Sequence, residues 1–181
     1  MYNSSNDVSV INKIITLIMI ILNLGSNIGQ RSDNLQRCID KLAKKLIVME
    51  KSKYIYSRPI AGSNINQDDY FINIGLKVYT SASPLCLLGY VKEIESSMGR
   101  APTDVVWSSR IIDIDIILFN DVVINSKMLH LPHKEMLNRD FVLLPLLELA
   151  PRYQYKISSN NSNIGIEKLY RNLNNLSSNI I

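Results

Sequence analysis

The sequence predicts an α+β fold: an antiparallel sheet in the order β-α-β-β-α-β with its helices packed on one face. Three observations predict it. Apolar, β-branched runs alternate with two segments of helical period. Turn and capping residues stand at the boundaries between them. Trp107 to Phe119, read as Trp-Ser-Ser-Arg-Ile-Ile-Asp-Ile-Asp-Ile-Ile-Leu-Phe, carries a period of two, the mark of a strand with two different faces.

The first strand is expected over residues 15–24, closed by the turn residues Gly25, Ser26 and Asn27. Ser32 and Asp33 are candidate caps for a helix whose apolar positions are Leu35, Ile39, Leu42 and Leu46. A second strand covers 47–57. A loop rich in Pro, Gly, Ser, Asn and Asp covers 59–69, and a third strand covers 70–80. Ser83 and Pro84 start a second helix as cap and first-turn residue. Its stripe is Leu85, Leu88, Val91, Ile94 and Met98, and Gly99 ends it. A loop over 100–109 leads into the acidic strand. Asn120 and Asp121 then turn into a short strand at 122–124. Residues 132–138 and 141–149 read as mostly helical, with Pro145 inside the second segment. The polar C-terminal stretch offers one short helix near 166–173. This order is the ferredoxin-like split βαβ arrangement, which leaves the second sheet face open for a site. Order alone does not assign a function.

A chain of 181 residues is expected to form one domain with a sizeable core. Residues 1–13 are polar and read as a disordered extension, which leaves 14–181 as the domain. The apolar run at 14–22 lacks a small-residue cleavage site and is shorter than a membrane span, so it reads as a buried strand. The net charge of +4 is spread without a Lys/Arg block, which argues against nucleic acid as a partner. No membrane partner is expected either. Cys38 and Cys86 lie far apart with no metal or redox spacing. Both are expected on apolar helix faces as buried thiols, in keeping with a reducing cytoplasm.

The acidic strand carries the chemistry. Ile112, Ile114, Ile116 and Leu118 are expected to face a core, and Asp113 and Asp115 to emerge side by side on the other face. Two anions this close stay ionised together when a cation lies between them. A hard divalent ion bound through oxygen suits them, and magnesium commonly arrives with substrate phosphates. Arg110 adds a planar fork suited to a phosphate. The plain alternative is a solvated strand face or a pair of structural ion pairs. His130 and His133 have a spacing seen at zinc sites, but no third ligand accompanies them.

Several motifs then coincide: Leu24-Gly25-Ser26-Asn27, Gly99-Arg100, and Trp107 followed by Arg110, Asp113, Asp115-Ile116, Leu118 and Phe119. Leu131-Pro132-His133 and Asn138-Arg139-Asp140-Phe141-Val142-Leu143, with Pro145-Leu146, follow downstream. Over residues 18–151 the chain resembles the 6-hydroxymethyl-7,8-dihydropterin pyrophosphokinase family of folate biosynthesis. The resemblance implies a single pyrophosphokinase domain that moves the β,γ-pyrophosphoryl unit of ATP to the pterin hydroxymethyl group and releases AMP. It implies two magnesium ions at Asp113 and Asp115, with Arg100, Arg110, Asp113 and Asp115 as catalytic residues. Glu95, Trp107, Arg110, Ile116, His133 and Arg139 match positions on the ATP side. Pro59, Ile60, Phe71, Asn73, Trp107, Asp113 and Phe141 match positions at the pterin. The loops at 58–69 and 99–109 would act as lids. The expected form is a cytoplasmic monomer, coupled if at all to a separate neighbour such as dihydropteroate synthase.

The chain departs from the family pattern at Pro102, Val106, Ser108, Ser109 and Lys134 and in the loop at Ala61-Gly62. These positions bear on loop closure and turnover. Two other classes remain open from the residues alone. One is a different magnesium-dependent phosphoryl transferase, for which Phe71 would be dispensable. The other is a ferredoxin-like binding module, which would expose aromatics beside basic residues on its strands.

Overall fold

Ile20–Ser26 forms the central strand β1, and every residue of it is buried. Its apolar run is the pattern of a strand covered on both faces. A computed structural model describes residues 19–59, 70–99, 109–156 and 163–165. Over these the chain is a mixed α/β unit with an antiparallel sheet and three helices: α1 (Arg31–Leu42), α2 (Pro84–Ser97) and α3 (Asp140–Leu149). β1 lies between β4 (Phe71–Tyr79) and β5 (Asp113–Phe119), antiparallel to both. β2 (Ile47–Lys51) and β3 (Ile55–Ser57) both pair with β4, so the strand expected over 47–57 is broken into two. β1 also runs on through Gly25 and Ser26, which pair across the sheet, so the turn begins later than expected. The expected strand start at 15–18 and the extension at 1–13 lie outside the described residues.

The caps show which local signals hold. Ser83 Oγ accepts from the Cys86 amide at 3.3 Å, Pro84 opens α2, and Gly99 (φ +92°) follows its end. In α1 the cap position is Gln30, without a side-chain bond. Ser32 and Asp33 fall inside the first turn, where the Asp33 charge favours the helix N-terminus.

Packing against the sheet sets the phase of α2. Leu87, Val91 and Ile94 are buried, one helical face, while Leu85 is exposed. Cys86 is exposed as well, contrary to expectation, because the same rotation turns it outward. Cys38 is buried in α1, and burial first, then the nearby Glu95 carboxylate, pushes its thiol up to about 12.

The core lies on both faces of the sheet. Ile20, Leu22, Leu24, Ile72, Ile74, Leu76, Ile114 and Ile116 meet α1 and α2 on one face. On the other, Ile21, Ile117 and Leu118 meet Val142, Leu143, Leu146 and Leu149 of α3. The helices therefore do not share one face. α3 is almost wholly apolar and needs a surface of its own, and half of the second face supplies it.

Leu118 also differs from expectation. Ile21 pairs with Leu118 and Leu22 with Ile116, so Ile117 is an extra residue at a β-bulge. The bulge reverses the alternation, sending Leu118 to the α3 face and Phe119 to the α1–α2 face.

The segment after β5 is less helical than expected. Ile124–Asn125 (β6) pairs with His130–Leu131 (β7), a cis bond joins Leu131 to Pro132, and only Met136–Asn138 forms a 3-10 turn. Gln154–Lys156 (β8) and Asn163–Gly165 (β9) form a hairpin that the polar sequence did not signal. The helix expected at 166–173 lies outside the described residues.

Candidate active site

Residues paired across antiparallel strands point to the same side of a sheet. On the α3 side, the pairing of β4, β1 and β5 builds two rows. Asn73, Gly25 and Asp113 form one, and Gly75, Asn23 and Asp115 form the next. α3 closes over the second row at its β4 end. A Cβ on Gly75 would lie 2.6 Å from Pro145 Cβ and 3.0 Å from Leu149 Cδ1. The rest of the two rows is a polar floor.

In the first row Asn73 is buried and its amide is held in one orientation. Its Nδ2 donates to Ser57 Oγ at 2.9 Å and to the Ile55 carbonyl at 3.4 Å. Asn73 Oδ1 then lies 2.8 Å from where a Gly25 Cβ would stand, and Phe71 Cδ1 lies 3.9 Å from it. Gly25 is thus the gap between Asn73 and Asp113. Phe71 is half-buried at the start of β4, and Pro59 is buried just after β3.

Asp113 and Asp115 emerge on this face as their spacing predicts, with side chains 29% and 28% exposed. Arg110 Nη1 donates to Asp113 Oδ2 at 2.9 Å. The arginine's main chain is clamped by Asn27. Asn27 Oδ1 accepts from the Arg110 amide at 2.7 Å, and the Asn27 amide donates to the Arg110 carbonyl at 3.2 Å. Asn27 Nδ2 also donates to Ser109 Oγ at 3.2 Å. Arg110 Nε is buried with no hydrogen-bond partner.

His133 approaches from the segment after β7, tied to β5 by its amide, which donates to the Ile117 carbonyl at 2.9 Å. Its Nε2 is 3.8 Å from Asp115 Oδ1. Burial first, and the Arg139 charge second, hold its pKa below the ordinary 6.5, and these outweigh the pull of the nearby carboxylates. The ring is therefore neutral at pH 7. Nδ1 accepts from the Glu135 amide at 3.3 Å, so Nε2 carries the proton and faces Asp115. Arg139 precedes α3 and lies over the Phe141 ring, 5.8 Å from its centre.

The expected site residues divide accordingly. Arg110, Asp113, Asp115 and His133 converge, and Asn73 and Phe71 join them across Gly25. Arg139 and Phe141 meet at the start of α3. Glu95 stands elsewhere: it is buried, its Oε1 accepts from the Ile114 amide at 2.8 Å and its Oε2 from Lys92 Nζ at 2.8 Å. It thus binds the main chain of β5 beside Ile114, whose side chain faces away from the aspartates. The Ile116 side chain also belongs to that opposite core. Ile60, Arg100 and Trp107 lie outside the described residues.

Three residues at the site were not singled out for it. Gly25 and Asn27 read as turn residues in the sequence, and Asn23 as part of an apolar strand. A polar residue inside such a run is itself a signal, since buried polar groups need partners. Asn23 is buried beside Asp115, and nothing among the described residues bonds its Oδ1.

The donor set fits a hard cation held jointly with a ligand. Among the described residues no three His, Cys, Asp or Glu side chains group to hold a metal by themselves. Two carboxylates on one face, with an arginine fork and a neutral imidazole N–H beside them, suit magnesium that keeps water and phosphate oxygens as its other ligands. Among the described residues no helix is long and apolar enough to cross a membrane.

The model of the 7,8-dihydro-6-hydroxymethylpterin-pyrophosphokinase family matches residues 21–151. The "Bifunctional protein FolKE" of Lactococcus lactis subsp. lactis is 42% identical over 133 residues, 72% of this chain and 37% of that protein. The 2-amino-4-hydroxy-6-hydroxymethyldihydropteridine pyrophosphokinase of Aquifex aeolicus is 38% identical over 138 residues, 76% of this chain and 84% of its own. The crystal structure of wild-type Plasmodium falciparum HPPK-DHPS shares the fold, with a TM-score of 0.62 at 19% identity over 85% of this chain and 44% of that one. The chain therefore spans well under half the length of the bifunctional relative and most of the single-function one.

Proposed function

The chain belongs to the 7,8-dihydro-6-hydroxymethylpterin-pyrophosphokinase family, and on that footing we propose that it transfers pyrophosphate from ATP to 6-hydroxymethyl-7,8-dihydropterin. The observation that carries the reading is the row of Asn73, Gly25 and Asp113. It sets a fixed amide, a gap and a carboxylate side by side, next to a second carboxylate suited to a phosphate-bound cation.

In this reading the pterin lies against the floor over Gly25. Asn73 is held by Ser57 and Ile55, so its amide meets the ring edge in one orientation. Phe71 and Phe141 form the walls, with Pro59 and Ile60 at the side. The pterin hydroxyl attacks the β-phosphorus, the bond from that phosphorus to the α,β-bridging oxygen breaks, AMP leaves, and the hydroxyl proton passes to solvent. Magnesium bound at Asp113 and Asp115 would neutralise charge on the phosphate oxygens. Arg110 points at the same phosphates, its main chain held by Asn27 and one Nη by Asp113. The neutral His133 donates from Nε2, a hydrogen bond to phosphate that does not depend on imidazole charge. Arg139 adds charge at the start of α3, Trp107, Glu95 and Ile116 complete the proposed ATP side, and Arg100 is a further catalytic arginine of this reading. Glu95 and Ile116 act there through the β5 main chain. No covalent intermediate is needed, because positioning and electrostatics lower the barrier.

The ferredoxin-like reading of the sheet belongs to this proposal and is supported by the strand order β2-β4-β1-β5 with α1 and α2 on one face. So do a cytoplasmic setting and coupling to a further folate enzyme. The latter is supported by relatives whose names describe them as bifunctional or as HPPK-DHPS.

The test is AMP formation from ATP and magnesium, with and without the pterin, on the wild type and on Asp115→Ala. AMP that requires the pterin and disappears with Asp115→Ala is the expected result. A folded, ATP-binding protein that makes no pterin-dependent AMP would overturn the proposal in favour of another phosphoryl transferase.

A further inference from the structure

We propose that Asn23 is an outer-sphere residue of the cation site, its Oδ1 accepting a hydrogen bond from water on the ion that Asp115 binds. This inference rests on the pyrophosphokinase reading above. Asn23 is directly opposite Asp115 across β1 and β5, so both side chains stand on the α3 face as neighbours. It is 5% exposed, and its Oδ1 is buried without a hydrogen-bond partner. On its other side it pairs with Gly75, which has no side chain and is covered by Pro145. A buried carbonyl oxygen left unbonded is a net cost to the fold unless a water or ion satisfies it.

The polarity of the group decides what satisfies it. A carboxylate cannot donate to Oδ1, and neither can the apolar side chains of α3 that cover Gly75. Water on a divalent ion is a strong donor, and magnesium keeps several waters when one or two carboxylates hold it. An acceptor beside the binding carboxylate orients that water and with it the ion, as outer-shell partners do at other metal sites. Asn23 is in this sense a positioning residue and does not touch the reacting atoms.

The experiment is a Mn2+ titration followed by electron paramagnetic resonance, in the presence of α,β-methylene ATP, on the wild type and on Asn23→Leu, Asn23→Asp and Asp115→Asn. Asn23→Leu removes the acceptor at similar size and should weaken Mn2+ binding about 10-fold, the lower end for loss of an outer-shell partner. Thermal unfolding of the cation-free Asn23→Leu protein should show no loss of stability, because the deleted oxygen had no partner there. Asn23→Asp keeps an acceptor and should bind Mn2+ at least as well as the wild type. Wild-type Mn2+ affinity in Asn23→Leu, with binding abolished in Asp115→Asn, would overturn the role of Asn23 and leave the cation site standing. Mn2+ binding unaffected by Asp115→Asn, or absent from the wild type, would overturn this inference and the cation site together.

Discussion

Gly25 and Asn73 face each other across β1 and β4, and a Cβ on Gly25 would stand 2.8 Å from Asn73 Oδ1. Real Cβ atoms do not come that close to an oxygen, so a side chain at residue 25 displaces the Asn73 amide. That amide cannot turn freely, because Ser57 and Ile55 hold its other end.

Gly25→Ala is therefore expected to raise the KM for the pterin about 10-fold or more, since small misplacements of a binding group are costly. The KM for ATP should change little. Steady-state kinetics with each substrate varied in turn separates the two, and an unchanged pterin KM would remove Asn73 and Gly25 from the pterin floor.

Gly75 lies two residues along β4 from Asn73, and its constraint is of another kind. The atoms over it are Pro145 and Leu149, which belong to the packing of α3. Gly75→Ala should overpack that contact and cost about 1–3 kcal/mol. Denaturant unfolding is the measurement. A variant as stable as the wild type would mean that α3 shifts on the sheet at little cost.

His133 predicts a pH dependence of stability. Its folded pKa is held below the ordinary 6.5 by burial and by Arg139. Above pH 6.5 the ring is neutral in both folded and unfolded chains and contributes nothing that varies with pH. As pH falls below 6.5, the unfolded chain takes up the proton before the folded one, and stability falls until the folded pKa is passed. Melting temperatures measured from pH 7.5 to 5 should decline more steeply for the wild type than for His133→Gln. Parallel curves would show that another group governs the acid side.

The sequence was most legible where a signal is local. The alternation around Asp113 and Asp115 put both carboxylates on one face, and the structure shows them there. Ser83, Pro84 and Gly99 marked the ends of α2 because caps act within a turn. Leu85 and Cys86 differ from expectation because a stripe spaced by three residues drifts around a helix of 3.6 residues per turn, and packing against the sheet selects the face that is buried.

What the sequence by itself determined is therefore the three helices and the core strands β1, β4 and β5, the paired carboxylates, and the motifs that mark the family. These depend on residues a few positions apart, where period and capping act. The tertiary structure decided the rest. Only the register of β1 against β4 and β5 brings Asn73, Gly25 and Asp113 into one row and sets Asn23 beside Asp115. Only the bulge at Ile117 sends Leu118 to α3, and only packing carries α3 to the second face and Glu95 to the Ile114 amide. The physical reason is that a strand's own alternation says which residues share a face, while its neighbours in the sheet, drawn from distant parts of the chain, say what those residues meet.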